Sequence, residues 1–242
     1  MPIRTVIFDL GDVLMPLNKE KMYTSFQSLG VKNAKELFEK KECQELYTKL
    51  EQDLDTSLFR SRLRELLCLT PGITDQQIDE AWSAMLEDIP EERLEYIQYL
   101  KEQGYKILLL SNSNEIHHAN IQHRYGLVFG QLFTTQYYSH ILKLAKPSVD
   151  VFKHVMDKEE LIAEEILFLD DKESNVDGAL NTGMRSAQFT VHDPSIRIGT
   201  ILNSINKRMS PEYKQNISLS VFQAPVLATS HEDDTALVNT IL

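Results

Sequence analysis

Side chains that can do chemistry come directly after several short apolar segments of the chain. The first segment ends in a carboxylate, the second in a hydroxyl and an amide, and the fourth in two adjacent carboxylates, while a lysine lies beyond the third. These residues are, in chain order, Asp9, Ser111, Asn112, Lys146, Asp170 and Asp171. If the segments are parallel strands, their carboxyl ends share one edge, where the active crevice of an open parallel sheet lies. We therefore expect these residues to converge.

This set of residues suits phosphoryl transfer, which needs a nucleophile, a divalent cation and fixed donors for the phosphoryl oxygens. A carboxylate at the position of Asp9 can attack phosphorus and form an aspartyl-phosphate. Asp171 can hold Mg²⁺ with it, because hard oxygen ligands suit that ion. Ser111 and Asn112 offer a hydroxyl and N–H groups to the phosphate. Lys146 can neutralise both the nucleophile and the phosphate, which otherwise repel each other.

The elements that must position these residues can be read from the hydrophobic pattern. Strands are predicted where short apolar runs are rich in β-branched residues, over 5–8, 107–110, 132–135, 166–169 and 186–191. Most connections between them have helical periodicity. Strands that alternate with helices predict an α/β fold, a Rossmann-like parallel sheet with helices on both faces.

The stretch between the first two strands is too long for a simple crossover. It contains no clear strand and is predicted to form helices over about 19–29, 33–54, 56–69 and 75–87. We expect an inserted all-helical cap over 16–89, a Rossmann-like core over 1–15 and 90–208, and a C-terminal extension over 209–242. A single amphipathic helix is predicted within 194–208.

Composition excludes several classes of function. The chain carries 25 Lys and Arg against 36 Asp and Glu, and the net charge of −11 argues against binding to nucleic acid. No apolar run approaches the roughly 18 residues of a membrane span, and the first residues do not resemble a signal peptide, so no membrane association and a cytoplasmic location are expected. The oligomeric state and the substrate stay open at this stage.

Four motifs together resemble those of the haloacid dehalogenase-like (HAD) hydrolase superfamily, over roughly residues 3–191. Within it the chain is most similar to the helical-cap branch that includes alpha-D-glucose-1-phosphate phosphatase. The motifs are Phe8-Asp9-Leu10-Gly11, Leu110-Ser111-Asn112-Ser113-Asn114, Lys146-Pro147 and Phe168-Leu169-Asp170-Asp171. The resemblance implies a Rossmann-like sheet with a helical cap inserted after the first strand.

The resemblance also implies a role for each motif residue. Asp9 would be the nucleophile and a Mg²⁺ ligand, the backbone carbonyl of Gly11 a second ligand, and Asp171 a direct ligand. Asp170 would orient metal-bound water, and Asn175 would steady the loop around it. Ser111, Asn112 and Lys146 match the phosphate-binding positions.

One position departs from the superfamily pattern. Many phosphatases of this superfamily carry a second Asp two residues after the nucleophile, as the acid for the leaving group and the base for water. Here that position is Gly11, although the glucose-1-phosphate phosphatase-like branch also carries Gly there. Asp12, a residue of the cap, or water could supply the proton, and the sequence leaves these alternatives open.

The leading hypothesis is a Mg²⁺-dependent phosphatase acting on a small phosphorylated metabolite, such as a sugar phosphate. One alternative is a catalytically weakened protein that binds a phosphorylated ligand or a protein partner. Another is a haloacid dehalogenase-type hydrolase, which uses the same Asp attack without metal. The pair Asp170 and Asp171 argues against the dehalogenase, because a metal-free site has little reason to hold three carboxylates together.

Four further residues are given structural roles. His117, His118 and His123 lie close together in the sequence, but their offsets do not repeat a ligand pair at i and i+4, so a solvated or capping role is expected. Trp82 is predicted to lie in the core of the cap rather than on a surface facing the crevice.

Overall fold

A single parallel sheet forms the centre of the computed structural model, which describes residues 1–190. Its five strands lie in the order β3-β2-β1-β4-β5. They are β1 (Thr5–Phe8), β2 (Lys106–Ser111), β3 (Thr135–Tyr138), β4 (Ile166–Asp170) and β5 (Arg185–Gln188). The predicted end of the fifth strand at residue 191, the helix within 194–208 and the extension 209–242 lie outside the described residues.

Ten helices connect or flank these strands within residues 1–190. They are α1 (Lys19–Ser28), α2 (Ala34–Phe38), α3 (Lys41–Gln52), α4 (Thr56–Leu67), α5 (Asp75–Ser83), α6 (Glu91–Glu102), α7 (Glu115–Leu132), α8 (Ser139–Leu142), α9 (Val149–Glu159) and α10 (Glu173–Leu180). The first five follow one another between β1 and β2, and we call them the helical insertion. No helix among residues 1–190 is long and apolar enough to cross a bilayer.

The strands β1 and β4 are buried along their whole length because helices cover both faces of the sheet. Val6 and Leu167 lie in one hydrophobic cluster, together with Ile97 of α6. Ile7 and Phe168, the next residues along the same strands, lie in the opposite cluster. This arrangement confirms the predicted α/β class and explains why β1 and β4 lack the alternating pattern of a half-exposed strand.

Two elements differ from the sequence-based prediction. The third strand was expected over 132–135, but Leu132 ends α7 and is buried there, and β3 begins only at Thr135, so that prediction was wrong. The helix expected over 33–54 is two helices, because Lys40 has an extended backbone between them. The side-chain amide of Gln44 donates a hydrogen bond to the carbonyl of Phe38 at 2.7 Å, which satisfies the end of α2.

An aromatic cluster holds the helical insertion together. Phe38 is fully buried, and its ring centroid lies 4.9 Å from that of Phe26. Trp82 packs against Tyr47 at 4.6 Å and against Phe59 at 5.2 Å. Because large aromatic side chains bury the most apolar surface, these five residues form the core of the insertion.

The two connections between the insertion and the sheet lie side by side. The Asn18 N–H donates to the carbonyl of Met85 at 2.8 Å, and the Glu87 N–H donates to the carbonyl of Pro16 at 3.0 Å. Arg124 of α7 donates to the Glu87 carbonyl at 2.8 Å. These bonds pair the outgoing and returning chain and tie both to the core.

Gly178 of α10 lies against the loop that carries Lys146. A Cβ at this position would collide with the carbonyl oxygen of Pro147 and would lie 3.1 Å from the ring of Phe152. Since the obstacle is backbone in a closely packed interior, it cannot move aside cheaply. The glycine therefore allows the close contact between α10 and the lysine loop.

We predict that Gly178→Ala lowers the free energy of unfolding by about 1–3 kcal/mol, the usual cost of overpacking. The matched control is Gly130→Ala in α7, where an added Cβ meets only the Gln136 side chain, at 3.9 Å. That change should be neutral or stabilise by up to about 1 kcal/mol. Urea unfolding of both variants measures the difference, and equal effects would contradict the packing argument.

Candidate active site

Three carboxylates meet at the carboxyl edge of the sheet. Asp9 directly follows β1, Asp170 ends β4, and Asp171 follows it. Because β1 and β4 are neighbours in register, with Phe8 opposite Leu169, these positions are adjacent. One carboxylate oxygen from each of the three lies within 4.8 Å of the others. The sequence-based prediction that they converge is therefore correct as geometry.

A buried lysine lies between two of these carboxylates. The Nζ atom of Lys146 lies 2.6 Å from Oδ1 of Asp9 and 2.6 Å from Oδ2 of Asp170. Burial raises the pKa of Asp9 to about 7, although Lys146 favours its ionised form. Burial alone would lower the pKa of Lys146, but the two carboxylates outweigh it and the net shift is upward. The lysine therefore stays charged and holds the two aspartates together.

Asp170 and Asp171 differ sharply in their surroundings. Oδ1 of the fully buried Asp170 accepts hydrogen bonds from the Lys172 N–H and the Asn175 side chain, both at 2.9 Å, while Oδ2 faces Lys146. Asp171 is half-buried, and no side chain within residues 1–190 donates a hydrogen bond to its carboxylate. Burial, together with the charge of Asp170, raises the pKa of Asp171 to about 6. Asp170 is committed to fixed partners, whereas Asp171 is available to a ligand.

The four residues of the motif at the end of β2, Ser111 to Asn114, make different contacts. Ser111 is buried at the end of the strand. The Asn112 side chain accepts from the Lys146 N–H at 2.9 Å and donates to the Lys146 carbonyl at 2.8 Å. Asn114 caps α7, and the Ser113 N–H bonds to a side chain of α8. The side-chain amide of Asn112 thus holds the backbone of Lys146 in place. The backbone N–H of Asn112 is then the part of that residue that can contact a phosphate.

In the loop after Asp9, the side chain of Leu17 lies beside Gly11. A Cβ on Gly11 would lie 2.9 Å from Cδ1 of Leu17, so Leu17 occupies the space beside this glycine. Asp12 adopts a left-handed conformation with φ 55°, and its Oδ1 accepts the Leu17 N–H at 2.8 Å. The Asp12 carboxylate therefore stabilises the turn that carries Leu17.

A cavity of about 340 Å³ lies between this edge of the sheet and the helical insertion. Asp9, Ser111, Lys146 and Asp171 line it on the side of the sheet. On the opposite side, three helices of the insertion, α1, α3 and α5, contribute side chains, and so does the segment that precedes α1. Among them are Lys19, Tyr23, Gln44, Tyr47, Glu51 and Trp82. The volume suits a small molecule.

The histidines behave differently from one another. His117 lines the cavity and stacks on Trp82, with ring centroids 5.4 Å apart. Burial lowers the pKa of His117 to about 4, so it is neutral at pH 7. Its Nε2 lies 3.4 Å from the Trp82 carbonyl in the last turn of α5, which fits the capping role of the expected pair rather than the solvated one. His123 is exposed, as expected, while His118 packs beside Tyr138 at 4.4 Å. Trp82 is 3% exposed, which agrees with the predicted core position, yet it also forms part of the cavity wall.

Comparisons with known proteins agree with this architecture. The model of the haloacid dehalogenase-like hydrolase family matches residues 3–183. The D-ribitol-5-phosphate phosphatase of Bacteroides thetaiotaomicron is 25% identical over 191 residues, which cover 77% of this chain and 91% of that protein. A HAD family enzyme of the same organism, solved as the wild-type protein with magnesium and inorganic phosphate, is 30% identical with a TM-score of 0.71, over 80% of this chain and 98% of that one.

A predicted HAD-like hydrolase of Porphyromonas gingivalis is also similar in structure. It is 28% identical with a TM-score of 0.70, over 81% of this chain and 95% of that one. The family model alone spans more than half of the chain, and the parallel sheet, its strand order and the converging carboxylates agree with it. The chain therefore belongs to the haloacid dehalogenase-like hydrolases.

Proposed function

We propose that this protein is a Mg²⁺-dependent phosphatase that hydrolyses a small phosphorylated metabolite through an aspartyl-phosphate on Asp9. The observation that carries the proposal is the ammonium of Lys146 buried against Asp9 and Asp170, with the carboxylate of Asp171 beside them. A site built this way is ready to receive an anion next to a carboxylate nucleophile, because the lysine reduces the repulsion between them.

The named relatives support this function. One curated relative is a phosphatase of a polyol phosphate, and a solved relative binds magnesium and inorganic phosphate. Both are similar to this chain over most of its length. Membership of the glucose-1-phosphate phosphatase-like branch stays a prediction.

The donor set fits a divalent metal ion. Asp9 and Asp171 present carboxylate oxygens to the same cavity, and the backbone carbonyl of Gly11 is the third ligand that we propose. Burial is the main cause of the raised pKa values of both carboxylates, and a bound cation would favour their ionised forms. When bound, Mg²⁺ would offset the charge of these carboxylates and of the phosphoryl oxygens.

The remaining motif residues bind the phosphate or hold those that do. Lys146 already contacts Asp9, so a phosphoryl group brought to that carboxylate also meets the ammonium. The Ser111 hydroxyl and the Asn112 backbone N–H are the further phosphate contacts that we propose. Asp170 and Asn175 keep the β4 loop in place through their hydrogen bond.

The substrate that we propose carries hydroxyl groups on its leaving-group side. The Trp82 Nε1–H and the Tyr47 hydroxyl are buried, and neither finds a hydrogen-bond partner among residues 1–190. Both residues line the cavity, together with the amide-bearing Gln44. Because an unpaired buried donor costs stability, a sugar or polyol that supplies the missing oxygens would be favoured. The insertion would act as the cap that excludes larger phosphorylated molecules.

The first prediction for this site concerns the nucleophile. Asp9→Asn, nearly isosteric but a poor nucleophile, should reduce turnover of p-nitrophenyl phosphate by more than about 100-fold, since a covalent nucleophile contributes far more than tenfold. Retention of more than about a tenth of the wild-type rate would remove Asp9 from this role. A wild type that binds phosphate but turns over no ester would favour the ligand-binding alternative.

The same variant tests the electrostatics without any substrate. The folded protein raises the pKa of Asp9 from 3.8 to about 7, so the ionised carboxylate opposes folding and wild-type stability falls as the pH rises through that window. In chelator, the thermal midpoint of Asp9→Asn should therefore equal or exceed that of the wild type at pH 8. Its advantage should shrink at pH 5, where Asp9 is protonated in the folded state.

The metal requirement gives a second prediction. Activity should disappear in EDTA, return with Mg²⁺ and be inhibited by Ca²⁺, which prefers more ligands at longer distances. Asp171→Asn should raise the Mg²⁺ concentration needed for half-maximal rate at least about tenfold, a typical loss for a weakened metal site. The control is Asp177→Asn, which changes an exposed acid on α10. Full activity in chelator would instead favour the dehalogenase-type alternative.

The unpaired tyrosine hydroxyl gives a third prediction. Tyr47→Phe removes only the OH group and should leave the thermal midpoint unchanged or raised, because no protein partner within residues 1–190 loses a bond. For a polyol phosphate, KM should rise by about 2–10-fold, the value of one net hydrogen bond. For p-nitrophenyl phosphate, which has no such hydroxyls, KM should not change. Equal rises for both esters would contradict a contact to the leaving group.

A further inference from the structure

Glu51 brings a carboxyl group from the helical insertion into the catalytic cavity. It is the penultimate residue of α3 and lines the cavity that also contains Asp9 and Asp171. Its backbone carbonyl accepts a hydrogen bond from the Ser139 hydroxyl. The same hydroxyl accepts the Ser113 N–H at 3.0 Å. The Ser139 hydroxyl of α8 therefore links the end of α3 to the loop that follows β2.

Three other positions in the cavity, Gly11, Asp12 and His117, are unsuited to protonate a leaving group. Gly11 has no side chain, and the space beside it is filled by Leu17. The Asp12 carboxylate is engaged by the Leu17 N–H within a tight turn. His117 is neutral at pH 7, because burial lowers its pKa to about 4. Among the described residues lining the cavity, Glu51 is the carboxyl group that has no other assigned task.

The surroundings of Glu51 match such a task. Its side chain is half-buried, and burial raises its pKa above the ordinary value for a glutamate. Three cations, Lys172, Lys146 and Lys19, partly oppose that shift. Asp9 and Asp171 line the same cavity as Glu51. The raised pKa favours the protonated form of the Glu51 carboxyl group, which is the form that a general acid needs.

We propose that Glu51 is the acid and base that replaces the carboxylate missing at Gly11; this inference rests on the phosphatase function proposed above. As an Asp9 oxygen bonds to phosphorus, the bond from phosphorus to the leaving oxygen breaks, and the Glu51 proton passes to that oxygen. The Glu51 carboxylate then takes a proton from water while the water oxygen bonds to phosphorus. The bond from phosphorus to Asp9 breaks, and inorganic phosphate leaves.

The experiment compares two esters whose leaving groups differ in their need for a proton. Nitrophenolate leaves unprotonated, whereas the alkoxide of a sugar or polyol phosphate does not. In full-length, Mg²⁺-loaded Glu51→Gln, turnover of an alkyl phosphate that the wild type accepts should fall about 100-fold or more, the usual contribution of general acid–base catalysis. The first-turnover burst of nitrophenolate should change by less than about threefold.

Two further variants separate chemistry from structure. Glu51→Asp keeps the carboxyl group and should recover part of the alkyl-ester rate. Glu45→Gln makes the same change at an exposed position of α3 and should leave both rates unchanged. A change of less than about tenfold in the ratio of alkyl to aryl rates in Glu51→Gln overturns the role of Glu51. Failure of the wild type on both esters overturns the phosphatase proposal instead.

Discussion

The structure depends on one buried cation held between two carboxylates. Lys146 is 4% exposed and lies 2.6 Å from both Asp9 and Asp170. Buried charges are stable only when they are paired and hydrogen-bonded, so the surrounding elements must hold all three in place. The Asn112 side chain clamps the lysine backbone, and the missing side chain of Gly178 lets α10 support the same loop. The residues at this edge of the sheet thus hold one lysine and two aspartates in a fixed, buried arrangement.

A consequence of this arrangement is that most polar residues at the edge are already committed. Asp170 accepts hydrogen bonds from three donors, the Asn112 side chain bonds to the backbone of Lys146, and Oδ1 of Asp12 accepts the Leu17 N–H within its turn. Asp9 and Asp171 keep carboxylate oxygens that a ligand can reach, and both have raised pKa values. Carboxylates with strongly shifted pKa values are typical of functional sites. The contrast with the hydrogen-bonded Asp170 therefore supports the proposed division between reacting and positioning groups.

Residues that local sequence patterns position could be predicted from the sequence, whereas residues that tertiary contacts position could not. Asp9 and Asp170 could be placed because each ends a strand whose apolar pattern is local and whose neighbours share an edge. The third strand was misplaced because β3 is an edge strand with few apolar residues, while the apolar Leu132 belongs to a helix end. Glu51 was missed because it lies in an ordinary amphipathic helix. Tertiary contacts, among them the hydrogen bond from Ser139, bring it to the site, and no local pattern in the sequence indicates them.

The proposed role of Glu51 changes how the insertion and the sheet must cooperate. If the acid followed the nucleophile by two residues, the turn after β1 would fix both, and the insertion would only select substrates. Here Leu17 fills that space, and Leu17 itself belongs to the segment that pairs with the returning chain at Leu86. In the proposed mechanism, the connection between sheet and insertion occupies the place of that acid, and Glu51 of α3 supplies the proton instead. The proposed proton transfer would then require the insertion to be seated on the sheet, an arrangement that would also keep bulk water away during phosphoryl transfer.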